Sequence, residues 1–225
     1  MTLAEVIQLV EGQGYQVDKR PYKLNVVGIR DTATTIPEKF KDEIAYFYFD
    51  DNGNAVGKVA VGTTLPSVYF LNNPIQNTSG TAILKQGQYK DAYKIGLHKK
   101  IYEALVQDKP VTVIRDNDRN SYLNFFAKTE TGLYGINIHR ASVGKEDATI
   151  ISQDSAGCQV YQNESDFQAM MEMARQSRDK YGNTFTYTLI DKKEIYKKRI
   201  NYALVGGILI GITAYVYYLK KKKIF

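Results

Sequence analysis

The sequence predicts a mainly β domain of sandwich or barrel type with two or so helices, followed by a C-terminal transmembrane helix. Three observations carry that expectation. Short segments rich in β-branched and aromatic residues fill the body of the chain, clusters of Asn, Asp, Gly and Pro punctuate them, and Asn201 to Leu219 runs 19 residues without a charge. Apolar residues make up 44% and charged residues 24% of the 225, a balance that excludes a disordered or collagen-like chain and allows a real core.

Residues 1–20 form a lead-in, where Leu3, Val6, Ile7 and Val10 fall at helical spacing without the basic start or cleavage site of a secretory signal. The domain itself is expected over 21–191. Strands are expected at 24–30, 44–49, 55–61, 111–115, 134–139 and 185–190, with turns at Asp50 to Gly53, Asn72 to Pro74 and Asp116 to Asp118. One helix is expected at about Tyr93 to Gln107. A second is expected from about Ser165 to Lys180, with Asn163 or Ser165 as its cap and Gly182 after it. Residues 192–200 form a basic juxtamembrane linker. The span 201–219, at 1.5 Å per residue, covers roughly 28 Å of hydrocarbon. Tyr202, Tyr215, Tyr217 and Tyr218 suit its interfaces, and 220–225 is a basic tail. Gly207 and Gly211 permit close approach of a second helix, hence self-association.

Charge placement bears on partners. Of the net charge of +6, residues 192–225 carry +8, which leaves −2 on residues 1–191. The folded body therefore lacks the basic face that phosphate binding needs, and nucleic acid is not an expected partner. The single cysteine removes any disulfide framework, so packing alone must hold the fold.

That cysteine is also the centre of the candidate chemistry. Gly135-Ile136-Asn137-Ile138-His139-Arg140 closes a strand, and Ser155-Ala156-Gly157-Cys158 forms a small-residue turn. A nucleophilic thiol needs an imidazole within reach, and N–H groups around a glycine turn can converge on a developing oxyanion. The same residues also fit a buried structural thiol and a hydrogen-bonded strand histidine.

These two segments resemble the catalytic motif of the L,D-transpeptidase family, in which a strand His precedes a Ser-His-Gly-Cys segment by a similar distance. A divergent branch found in bacteriophage genomes is closer. It shares Gly28-Ile29-Arg30, Gly80 to Tyr89, Leu97-His98 through Leu105, Arg115-Asp116, Gly135 to Arg140 and Ser155 to Val160, so the resemblance covers roughly residues 20–191. It implies a mainly β cysteine enzyme acting on peptidoglycan stem peptides, with no cofactor and no metal. Cys158 would be the nucleophile, His139 the general base, Gly157 with Cys158 the oxyanion donors, and Ser155 the residue that orients the turn. Acceptance of the acyl group by water would cleave the peptide, and acceptance by an amine would form a crosslink.

Two positions depart from the family pattern. Ala156 stands where the family has a second His, and Val160 stands where it has an Arg. Arg140 is the expected replacement anion clamp, and His98 and Asn137 are the other candidate substrate-binding residues. Zinc is not expected, because no H-x-x-x-H, H-E-x-x-H or C-x-x-C pair is present. The C-terminal anchor points to a single-pass protein of a virion or host membrane, held in reserve for cell entry or lysis. The alternative expectation is a structural virion or membrane protein that keeps the fold with little or no turnover.

Overall fold

The computed structural model describes residues 1–33, 35–75, 79–142 and 149–193. The expected membrane span Asn201–Leu219, with Gly207 and Gly211, lies outside the described residues. No helix among the described residues is long and apolar enough to cross a membrane. The chain divides into two compact units, Met1–Asp191 and Lys192–Phe225, and the first carries all the elements below.

Eight strands close a barrel: β1 (Asn25–Arg30), β2 (Asp42–Phe49), β3 (Ala55–Thr63), β5 (Gly87–His98), β6 (Tyr102–Gln107), β9 (Ile138–Arg140), β10 (Gln159–Tyr161) and β11 (Phe185–Asp191), in the order β1-β11-β5-β6-β9-β10-β3-β2. A separate sheet pairs β4 (Thr81–Leu84), β7 (Val111–Asp116) and β8 (Thr129–Gly132) in the order β4-β7-β8. The barrel is antiparallel except where β1 lies parallel to β11 and β9 parallel to β10. Of the two architectures the sequence allows, the barrel is the one present.

Local chemistry explains the elements. The β2–β3 hairpin turns at Asp50, whose Oδ1 accepts the Asn52 and Asn54 N–H groups at 3.0 and 2.7 Å. Helix α1 (Leu3–Gly12) starts on a capping box between Thr2 and Glu5 and buries Val6 and Val10. Helix α3 (Glu164–Tyr181) sinks Phe167, Met170, Met171 and Ala174 into the same core as the barrel interior. A short helix, α2 (Val68–Asn72), precedes β4. Three tyrosines of the core, Tyr93, Tyr161 and Tyr187, are fully buried, the bulky filling that Trp supplies elsewhere.

The expected helix Tyr93 to Gln107 is instead the β5–β6 hairpin, paired from Tyr93↔Gln107 to His98↔Tyr102. Its Lys, Glu, Ala and Leu residues have good helix propensity, yet Ala92, Tyr93, Ile95, Ala104 and Leu105 all face the core and pairing across the barrel wins. The expected strand 134–139 is a strand only over its last two residues, in β9, and turns at Gly135, whose φ is +69°.

One buried cation ties the two sheets together. Arg30, at the end of β1, is 4% exposed and donates from Nη1 to the Leu84 carbonyl of β4 at 2.8 Å, and from Nε and Nη2 to Thr64 at 3.0 and 2.6 Å. Asp42 on β2 accepts the Thr64 N–H and hydroxyl, each at 2.7 Å. Burial pushes the Arg30 guanidinium down and the Asp42 carboxyl up from their ordinary values, with the Asp42 charge partly restoring the former. This clamp fixes β4 against the barrel wall, where the turn before β10 meets it.

Candidate active site

The parallel register of β9 and β10 sets the site. Gln159 lies beside Ile138 and Val160 beside His139, so Cys158 falls beside Asn137. Alternate residues of a strand share a face, which puts Asn137, His139, Cys158 and Val160 on one side and Ile138 and Tyr161 on the core side. Cys158 and His139 are thus one diagonal step apart on the face turned away from the barrel core.

The turn carrying the thiol is pinned from both sides. Gly157 has φ +123°, and a Cβ there would stand 2.3 Å from the Ala82 carbonyl oxygen of β4. Only glycine fits that conformation and that approach. Ser155, fully buried, donates its hydroxyl to the Cys158 carbonyl at 2.8 Å and accepts the Gly157 N–H at 3.2 Å. Ser155 therefore staples the turn. It also occupies the Gly157 N–H, so that group is not open to an oxyanion as expected. The Cys158 N–H has no partner among the described residues and is a backbone donor left at the turn.

Cys158 is half-buried. Its Sγ receives the Asn137 N–H at 3.4 Å and faces the Gly135 carbonyl at 3.4 Å as donor. Burial pushes the thiol up from its ordinary value, opposed by the Asn137 N–H and by the charge of Lys99. At neutral pH it is a thiol and not a thiolate.

Two stacked imidazoles stand beside it. The rings of His98 and His139 are 4.1 Å apart between centroids and 22° from parallel. His98 ends β5; it is not the helix-face residue the sequence reading expects. Burial is the main cause that lowers both rings, His98 to about 4 with help from Lys99 and Arg140, and His139 to about 3 with help from His98. Both are neutral near pH 7. His139 Nδ1 lies 2.7 Å from the Arg140 carbonyl oxygen, and since a carbonyl only accepts, that nitrogen carries the proton and Nε2 carries the lone pair. The Tyr102 hydroxyl stands 3.4 Å from the same Nδ1.

A hollow of about 600 Å³ opens at this place, lined by Cys158, Ala156, Asn137, Gly135 and His98, with Lys99 and Arg115 as its cations and no carboxylate among its described lining residues. Arg115 was quoted at the sequence level only as part of an Arg-Asp segment. In the structure it stacks on Tyr134 at 4.3 Å and pairs with Glu130 at 2.9 Å while lining the hollow. His139 is not among its lining residues, and neither is Arg140. Its guanidinium lies over the Tyr102 ring at 4.5 Å and reaches Glu164 at 3.5 Å, so the expected anion clamp is committed to packing α3 and β6. Lys99, beside His98 in sequence, is the cation that the sequence reading passed over. No cluster of three or more His, Cys, Asp or Glu that could hold a metal ion occurs among the described residues.

Comparison with protein-family models, with curated proteins and with solved structures finds no match to this chain.

Proposed function

We propose that the chain is a membrane-tethered cysteine enzyme that breaks peptide bonds in peptidoglycan stem peptides through an acyl-enzyme. The observation that carries this reading is the placement of Cys158 and His139 on one face of the β9–β10 pair, a neutral thiol on an open hollow and an imidazole whose Nδ1 is held by the Arg140 carbonyl. That anchor leaves His139 Nε2 as a base of fixed orientation. As Cys158 Sγ bonds to the peptide carbonyl carbon, the thiol proton passes to His139 Nε2 and the carbonyl π pair moves to oxygen, where the Cys158 N–H can meet it. Collapse breaks the C–N bond, and the departing amine takes the proton from His139. Water then accepts the acyl group, with an amine acceptor giving a crosslink instead. The substrate class comes from the resemblance to L,D-transpeptidases, and the tether from the apolar segment Asn201–Leu219.

A second reading, a structural membrane or virion protein with little turnover, is favoured by one observation: burial holds the thiol above and both imidazoles below their ordinary values, so no resting ion pair activates Cys158. The two readings part in one experiment. The full chain is incubated with purified peptidoglycan and the soluble muropeptides are analysed. Release is expected from wild type and a loss on the order of 10³-fold or more from Cys158→Ala and from His139→Ala. Equal products from wild type and Cys158→Ala would leave only the structural reading.

A further inference from the structure

We propose that His98 is a second catalytic residue of this site, donating its Nε2–H to the carbonyl oxygen that becomes the oxyanion when Cys158 attacks. The proposal rests on the acyl-transfer reading of Cys158 and adds a second donor beside the Cys158 N–H, in place of the Gly157 N–H that Ser155 has taken.

The tautomer follows from a chain of three groups. The Gln107 backbone N–H donates to Asn137 Oδ1 at 2.9 Å, which fixes the amide so that its NH2 faces the other way. Asn137 Nδ2 then lies 3.1 Å from His98 Nδ1. An amide nitrogen only donates, so His98 Nδ1 must accept. In a neutral ring the proton is then on Nε2. His139 has the opposite arrangement, with its proton on Nδ1 toward the Arg140 carbonyl. The stacked rings therefore differ, with a lone pair on His139 Nε2 and an N–H on His98 Nε2, and of the two it is His98 that lines the hollow with Cys158. His98 Nε2 has no hydrogen-bond partner among the described residues and is not one of the buried side-chain atoms left unbonded, and its ring lines the hollow.

This division assigns the proton traffic. His139 takes the thiol proton and returns it to the leaving amine. His98 keeps its own proton throughout and contributes only a hydrogen bond that strengthens as charge collects on oxygen. Its lone pair is occupied by Asn137, which excludes it as the base. Position 156, an alanine, borders the same hollow as His98.

The test separates a reaction that builds an oxyanion from one that does not. In the full chain, Cys158 is acylated with p-nitrophenyl acetate and, separately, alkylated with iodoacetamide at one fixed alkaline pH, each followed by the mass of the protein. His98→Phe keeps a ring on His139 and removes the donor. Acylation is expected to fall by about 10²-fold while alkylation stays within about twofold. His98→Gln, which restores an N–H donor, is expected to recover about tenfold of the loss, and His139→Ala to slow both reactions. His98→Ala provides the same comparison if the Phe ring does not seat. Equal losses in both reactions, or none in either, would overturn the role of His98. Failure of wild-type Cys158 to accept the acyl group at all would instead sink the acyl-transfer reading beneath it, and acyl-Cys158 without muropeptide release would sink only the peptidoglycan assignment.

Discussion

Gly157→Ala tests whether the thiol turn is jammed against β4 as the geometry requires. The substitution meets two penalties. An L-residue at φ +123° is in the wrong half of backbone space, worth about 1–2 kcal/mol. The new Cβ would also stand 2.3 Å from the Ala82 oxygen, a backbone atom that Arg30 helps to hold through Leu84 two residues on, so something in β4 must shift at a further cost of about 1–3 kcal/mol. The sum, about 2–5 kcal/mol, corresponds to a melting-temperature drop of about 5–15 °C for a unit of this size. Gly135→Ala is the matched control. Gly135 also has a positive φ, +69°, but nothing lies within 4 Å of its would-be Cβ, so only the backbone penalty of about 1–2 kcal/mol applies. Scanning calorimetry of the full chain measures both. If the two variants melt within about 2 °C of each other, the steric half of the argument fails and the turn is not wedged against the second sheet.

Two further outcomes follow from the same site. Unfolding frees both imidazoles to titrate near 6.5, whereas in the fold they titrate at about 4 and about 3, so between those values the unfolded chain binds more protons. Stability from this pair is complete above about pH 6.5 and falls as pH drops, by about 1.4 kcal/mol per pH unit for each ring. Urea midpoints at about pH 7.5 and about pH 5 should show that loss, roughly halved in His98→Phe, and equal midpoints would refute it. Arg140→Ala removes a stack on Tyr102 and a contact with the partly exposed Glu164, so a loss of about 0.5–1 kcal/mol in urea unfolding is expected, with muropeptide release within about twofold of wild type. A tenfold fall in release at unchanged stability would restore Arg140 as the anion clamp.

The legible parts of the fold were those whose signal is local. The strands at 25–30, 42–49, 55–63, 111–116 and 185–191 announce themselves by β-branched and aromatic runs between turn residues, and α3 by its cap region and apolar stripe. The β5–β6 hairpin was illegible because its turn gives no cue. Lys99 and Lys100 take φ +50° and +61°, the pair of left-handed positions that Asn-Gly usually fills, and the Ile101 N–H closes the turn on the His98 carbonyl at 2.9 Å. With no Gly, Asn or Pro between Gly96 and Gln107, propensity reads the stretch as helix. The short strands β9 and β10 were hidden for a different reason: each has three residues and owes its extension to neighbours far away in sequence. At the site, Cys158, His139 and the turn function of Ser155 could be named from residue types and order. The Gly157 N–H is taken by a rotamer of Ser155 two residues away, which residue types alone do not fix, and the commitment of Arg140 and the lining by Arg115 depend on contacts across 15 to 35 residues, which a single sequence does not display.

The strained hairpin tip also accounts for where the site's cations come from. Position 160, which the resemblance to L,D-transpeptidases would align with an arginine, is a fully buried valine packed with Phe40, Ala141 and Ile151. A guanidinium in that cluster would be desolvated among apolar side chains at a cost of several kcal/mol. An anion entering the hollow must therefore be met from its other walls, by Arg115 on β7 and Lys99 at the tip of β5. Two consecutive lysines at left-handed φ cost roughly 1–2 kcal/mol each, a strain that a glycine or asparagine would relieve. The tightness of that turn ends β5 at His98, stacks the ring on His139 and sets Lys99 on the hollow, where its charge opposes the effect of burial on the thiol. The hairpin tip thus delivers to one place both the N–H donor and the positive charge that positions 156 and 160 do not supply.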